Sequence, residues 1–269
     1  MSVPLNVLFW IVVIPGTVVL GLIASWIVRK VSALVQWRVG PPLFQRRIAF
    51  VPAKPFVGDI IVAIYLMVLP SLALILGSSA SASPHAAVGT SREMKLVMGY
   101  ELSLVLAFIV VIIKTGGTLN LAEIAQHTTV FSISNMLAFL AALLCVQAKL
   151  GFVPFDIAEA ETEVASGVLM EYSGALLAVW KLAHAIMLVA LPLFLVIVFL
   201  GGFAAGLAGL LAGIGKYVLV LVLLILIKNT NPRVRIDQAM KFFWVYCGIA
   251  LVVAIILATT GNYYGISWL

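Results

Sequence analysis

Apolar residues run along this chain in blocks of about 20, separated by short polar stretches, and the blocks lack the strict alternation of a membrane β-barrel. A helix of about 20 apolar residues is long enough to cross a hydrocarbon core roughly 30 Å thick. The pattern therefore predicts spanning helices at about 6–28, 57–77, 95–114, 131–150, 172–200, 207–228 and 241–260. These seven make one all-α, polytopic membrane domain over residues 1–269, with no soluble domain, no interdomain linker and no internal repeat. The block at 172–200 is long and contains Lys181, His184 and Pro192, so tilt or a proline kink is expected there. The stretch "GGFAAGLAGLLAGIGK" (201–216) reads as a turn into the next helix. Its GxxxG spacings, Gly202 to Gly206 and Gly209 to Gly213, permit close helix contact.

Composition agrees with that pattern and removes the soluble classes. Of 269 residues, 64% are hydrophobic and only 10% charged, with a mean hydropathy of +1.22; soluble domains hold about 45–50% apolar residues. The formal charge of +6 reads as lysine and arginine collected in cytoplasmic loops beside the lipid bilayer, and not as a nucleic-acid surface. Cys145 and Cys247 lie in apolar runs with no Cys-x-x-Cys spacing, so neither a disulfide framework nor a cluster-binding motif is indicated. Any metal or iron–sulfur centre is expected in another chain. The start, "MSVPLNVLFWIVV", has no basic residue before its apolar block, and Arg29 and Lys30 follow it. That order predicts a retained first helix with its N-terminus outside.

Charge also exposes an inconsistency in the seven-helix count. Residues 29–56 carry Arg29, Lys30, Arg38, Arg46, Arg47 and Lys54, and residues 228–241 carry Lys228, Arg233, Arg235 and Lys241 against Asp237. The positive-inside rule places both loops in the cytoplasm. Five predicted crossings separate them, and an odd number puts them on opposite faces. Either one loop is exceptional or a crossing is missing from the sequence.

The candidate chemistry is concentrated in "VPFDIAEAETEVASGVLMEYSG" (153–174), which holds five of the ten acidic residues: Asp156, Glu159, Glu161, Glu163 and Glu171. Asp156 and Glu159 fit a capping box at a helix start. Glu159 and Glu163 are spaced i, i+4, where like charges cost a few tenths of a kcal/mol even on an exposed helix. Held at membrane depth, such carboxylates require protons, water or cationic partners, and the arginines of the basic loops are the candidates. A solvated acidic loop is the alternative reading. Glu101 falls about two turns into its predicted helix and suits either an ion pathway or an internal salt bridge. Lys181 and His184 share a face at i, i+3. His85 and His127 read as solvated loop residues. Nothing matches a nucleophile–base triad, a metal-binding cluster or a phosphate-cradling glycine loop.

Four stretches together resemble one family: "QWRVGPP" (36–42), "GTSREMKLVMGYE" (89–101), "PFDIAEAETEVASGVLMEYSG" (154–174) and "NPRVRIDQAMKFFW" (231–244). They are similar to the NADH dehydrogenase subunit 1 family of respiratory complex I and to the matching membrane subunit of energy-converting NiFe hydrogenases. "GPP" and "NTNPRVRIDQ" look more like the hydrogenase branch than the quinone-reducing branch. The resemblance implies an eight-helix subunit that binds no cofactor and anchors a cytoplasmic redox arm. The expected partners are an iron–sulfur small subunit with 4Fe-4S clusters, a NiFe or NiFe-like large subunit, antiporter-like membrane subunits and, through these, ferredoxin. Glu159, Glu161 and Glu163 match the family's acidic loop, Glu171 the "EYS" motif and Glu101 the "YE" motif; with Asp156 they form the implied proton or ion relay. Arg38, Arg92, Arg233, Arg235 and Asp237 match the basic motifs facing the redox arm, with Lys181 and His184 as further candidates.

The expectation is a non-catalytic coupling subunit of a ferredoxin-linked, ion-translocating oxidoreductase. A quinone-reducing complex I subunit and a stand-alone secondary transporter are the alternatives. In the family, "GPPxxQ" leads to an amphipathic segment and a second spanning helix, whereas here "GPPLFQ" runs directly into "RRIAFVPAKPFVGDII". One crossing restored near residues 45–46 yields eight helices and resolves the parity problem.

Overall fold

The computed structural model describes residues 58–81, 83–127, 132–159, 167–203, 207–266 and 268, and these are helical with irregular connections. The chain divides into two units, Met1–Lys54 and Pro55–Leu269, and the description concerns the second. The predicted first helix, Arg38, the break near 45–46, Glu161 and Glu163 lie outside the described residues.

The described elements are α1 (Asp59–Ala80), α2 (Pro84–Lys114), the short α3 (Leu121–His127), α4 (Ile133–Lys149), α5 (Gly174–Phe199) and α6 (Leu207–Thr230). They continue with α7 (Ile236–Lys241), a π-helical turn at Phe242–Cys247 and α8 (Gly248–Tyr264). The last three run on as one span, so five helices are long and apolar enough to cross a membrane, and α4 is a shorter apolar helix. Six of the seven predicted helices thus appear among the described residues, with bounds shifted by a few positions except at the start of α2.

The largest correction concerns α2. Expected at 95–114, it starts at Pro84, where proline occupies the first turn and Ser83 is extended. The missing N–H of proline costs nothing at that position. Its 31 residues span about 46 Å at 1.5 Å per residue, well beyond the hydrocarbon core. The "SRE" stretch and His85 are therefore helical, not loop, and Glu101 lies between four and five turns from the start. His127 likewise ends α3 instead of lying in a loop.

Among the helices long enough to cross a membrane α2 is the most enclosed, and the shorter α4 is buried along most of its length, so the two together form the centre of the bundle. The most apolar window of α2 is 56% buried, against 17% for α1 and for α6. Phe108 packs edge-on to Phe194 of α5, with ring centroids 5.4 Å apart, and lies beside Phe199. Tyr100 meets Phe243 of the π-helical turn edge-on at 6.4 Å. On α5, Pro192 sits inside the helix as expected. At the far end of α5, Lys216 of α6 donates to the Leu200 carbonyl at 2.7 Å, satisfying an acceptor where the helix dipole is negative. Gly213 lies against the Phe203 ring of the turn that precedes α6.

Direction follows from contacts. Gly99 faces Met240 and Phe243, Ser103 donates to the Phe243 carbonyl at 3.0 Å, and Asn262 donates to the Ile113 carbonyl. The α2 and α7–α8 spans consequently run side by side in the same direction, as three intervening crossings require. The start of α2, the 150–159 segment and the 231–235 segment all meet at one end. There Arg92 donates to the Ile157 carbonyl and the Val234 N–H to the Pro154 carbonyl at 3.0 Å.

Candidate functional site

The charged end is built around a close approach between α2 and the chain that follows α4. Gly89 permits it: a Cβ there would stand 3.0 Å from the Val168 nitrogen and 3.2 Å from the Ala158 carbonyl oxygen. Gly167 has φ +34°, and its α-carbon faces the same Ala158 carbonyl, leaving no room for a side chain. This contact presses the acidic segment onto α2, with the Phe155 ring centroid 4.8 Å from that of Phe243 and the two rings tilted by 44°. Gln147 donates to the Val153 carbonyl at 2.8 Å and fixes the turn that leaves α4.

Behind that contact lies a cavity of about 260 Å³ between α1, α2, the end of α4 and α5. Its polar lining comes from Ser71, Glu93, Lys149, Glu159, Lys181 and His184. Lys149 ends α4, and its ammonium pairs with the Glu101 carboxylate. The lysine side chain has no exposed surface, whereas Glu101 retains 16%; the positive charge is the more deeply enclosed member. The same ammonium lies 5.3 Å from the Tyr100 ring centroid, and the Tyr100 hydroxyl is 3.0 Å from Ser71 Oγ. Glu93 precedes Tyr100 by seven residues, two helical turns, and so shares its face. At 9% exposure it belongs to the interior.

The acidic segment delivers the other carboxylates differently. Residues 156–159 are irregular, so the expected capping box is absent: Asp156 instead accepts from Arg233 Nη2 at 3.0 Å. Glu159 turns into the cavity, where burial and the nearby Asp156 charge raise its carboxyl above the usual 4.5. Arg92 is held on α2 near Ile157. Arg235 and Asp237 are exposed at the start of α7, and Glu171 is exposed in the turn before α5. His184 is half-buried, with its ring 5.9 Å from Phe152, whose face also receives the Lys228 ammonium at 4.3 Å.

The structure thus brings Glu159, Lys181 and His184 to one cavity, pairs Glu101 with the Lys149 that lines it, ties Asp156 to Arg233 at the end of the bundle, and leaves Glu171, Arg235 and Asp237 on the surface. For Glu101 the internal salt bridge is realised, with Lys149 as its partner. Sequence reasoning missed Glu93 and Lys149. Both stand at polar junctions beside apolar blocks, and the signal was the spacing of Glu93 from Tyr100 and Glu101. Carboxylates gathered around one enclosed ammonium group in a low-dielectric interior cannot change protonation independently. Among the described residues, no group of three or more His, Cys, Asp or Glu side chains is placed to hold a metal ion.

A sequence model of the NADH dehydrogenase family matches residues 45–259. The chain belongs to this family. Among its relatives, an NADH-quinone oxidoreductase subunit of Geobacillus thermodenitrificans is 35% identical over 183 residues, 65% of this chain and 55% of that protein. The corresponding NADH-quinone oxidoreductase subunit of Syntrophotalea carbinolica is 32% identical over 228 residues, 81% of this chain and 68% of that protein. The chain spans little more than half the length of the first of these. A solved structure of a membrane-bound sulfane sulfur reductase, an archaeal respiratory membrane complex, contains a chain that superposes with a TM-score of 0.66. The two are 26% identical, with 93% of this chain and 98% of that chain covered. The resemblance read from the four motifs is confirmed, and the chain is a multi-pass member of a family of respiratory-complex membrane subunits.

Proposed function

We propose that this chain is the membrane-anchor and coupling subunit of a ferredoxin-linked, ion-translocating oxidoreductase of the membrane-bound hydrogenase or sulfur-reductase type. The observation that carries this reading is the enclosed Lys149–Glu101 pair beside a cavity shared by Glu93 and Glu159. Carboxylates and an ammonium at such depth are costly unless they serve transport. A cytoplasmic arm, with an iron–sulfur small subunit and a NiFe-like large subunit, would dock on the end that carries Arg92, Asp156, Arg233, Arg235 and Asp237. Antiporter-like subunits would continue the path within the membrane.

On this reading, an electron arriving in the arm changes the field at the acidic segment. Glu159 is the first group to respond, because its proton is already held more tightly than usual. Transfer of charge to the Glu93, Lys149 and Glu101 group then alters which of them carries the proton. The chain's own residues bind and move protons; redox chemistry stays in the partner subunits.

Glu93→Gln keeps the side-chain volume and removes the titratable group. The expected outcome is an assembled complex with electron transfer intact and ion translocation, followed as ΔpH or Δψ in proteoliposomes, reduced at least about tenfold, the size of effect a lost proton carrier gives. Wild-type translocation by this variant defeats the relay. The composition of the purified complex tests the partner assignment: nickel with iron–sulfur subunits supports the hydrogenase type. Quinone reduction by the complex favours the second reading, for which the NADH-quinone oxidoreductase relatives speak. Ion transport by the isolated chain in liposomes would instead support the secondary transporter.

A further inference from the structure

A second cavity lies away from the charged network, on the flank where α2 meets the π-helical turn and α8. It measures about 380 Å³ and is lined by Leu102, Leu106, Trp244, Gly248, Ile249 and Val252, among others. The lining is almost wholly apolar. The side chains around it are open to the surroundings of the bundle, with Leu102 at 51%, Trp244 at 54% and Ile249 at 60% exposure. The π-helical turn creates the hollow: its wider ring shifts the side-chain phase between α7 and α8. Gly248 then supplies a floor without a side chain.

Two cations stand at one end of this groove. Lys95 precedes Leu102 and Leu106 by seven and eleven residues, so all three fall on one stripe of α2, with Met98 beside them. Lys241 closes α7 directly before the π-helical turn, at the level where Met240 meets Gly99. Lys95 is one turn of α2 from that level. Both lysines are exposed, and among the described residues neither forms an ion pair, although Asp237 lies one turn before Lys241. The arrangement is an apolar trough with a positively charged mouth at the end of the bundle that also carries Arg233 and Asp156. Two lysines flanking an apolar slot between neighbouring spans match an acyl chain joined to an anionic head group. A zwitterionic lipid uses only the apolar half of that match.

The geometry points to a specific binding site for an anionic phospholipid on the α2–α8 flank, its acyl chain in the groove beside Trp244 and its phosphate between Lys95 and Lys241. This site is independent of the relay and of the nature of the electron acceptor. Trp244 is the natural reporter. The complete complex, delipidated and reconstituted with brominated-chain phosphatidylglycerol or brominated-chain phosphatidylcholine, is compared with its Trp244→Phe counterpart to isolate the Trp244 signal. Phosphatidylglycerol is expected to quench at about tenfold lower mole fraction than phosphatidylcholine. The preference should vanish in Lys95→Gln/Lys241→Gln and shrink in the wild-type complex when salt rises to about 0.5 M. Equal quenching by both lipids overturns the proposal, since the groove is then ordinary bilayer contact. Absence of Trp244 quenching by either lipid overturns it too, because another subunit then covers the flank. The salt series on wild-type protein keeps the test decisive should the double variant fail to assemble.

Discussion

Two ion pairs of the same chemistry occupy opposite environments in this subunit. Lys149 and Glu101 meet inside the bundle, with the lysine side chain fully enclosed, whereas Arg233 and Asp156 meet at its end, where the arginine is 40% exposed. In the first, desolvation is large and the pair persists because each charge has the other; in the second, water and salt share the work. The difference teaches that identity and spacing of charges do not set their role here. Depth does: the enclosed pair is shielded from water and is the one the proposed relay uses, and the exposed pair ties the 150–159 segment to the 231–235 segment.

Breaking the enclosed pair should have the largest effect. Lys149→Met strands the Glu101 carboxylate and is expected to cost about 3–5 kcal/mol, read as a lowered unfolding midpoint in detergent or loss of assembly. Adding Glu101→Gln should recover most of that loss, and if it does not, the two residues are not an energetic pair. Next comes the contact that holds the network closed. Gly89→Ala pushes a methyl against Val168 and Ala158, an overpacking cost of about 1–3 kcal/mol, and a neutral result would mean that the segment yields freely.

A smaller, pH-dependent effect belongs to Glu159. Its raised value means that the folded chain holds this proton more tightly than the unfolded chain. Its stabilising contribution is therefore complete below the usual 4.5 and is lost as pH rises through the raised value. Glu159→Gln should match wild type in acid and become the more stable of the two as pH approaches neutrality. Parallel pH profiles from thermal unfolding would contradict the assigned burial. Smallest of all is the exposed pair. Arg233→Ala should cost about 0.2–1 kcal/mol, and the difference should fade with added salt. A loss comparable with Lys149→Met would erase the contrast between the two environments.

The sequence went furthest where hydrocarbon decides. Blocks of about 20 apolar residues mark crossings without tertiary help, since a backbone in lipid must satisfy its own hydrogen bonds. Motif order revealed the family through segments that are spread along the chain, and three of them, around Arg92, Asp156 and Arg233, meet at one end among the described residues. The errors came where small and polar residues form structure through contact. "PHAAVGTSREM" is not apolar enough to read as a continuation of α2, yet Ala86, Gly89 and Thr90 bury there against neighbouring elements. Asp156 was expected to cap a helix and instead meets Arg233, 77 positions away.

What the sequence determined by itself is an all-helical, lipid-embedded chain of this family with its acids gathered next to a basic end, because transfer of apolar surface and the positive-inside bias act locally along the chain. Only the tertiary structure decided that Lys149 would be the partner of Glu101, that Glu93 would join Glu159 across one cavity, and that a π-helical turn would open a groove beside α2. Those outcomes depend on the distance and depth at which remote side chains meet, and electrostatic energy varies with both.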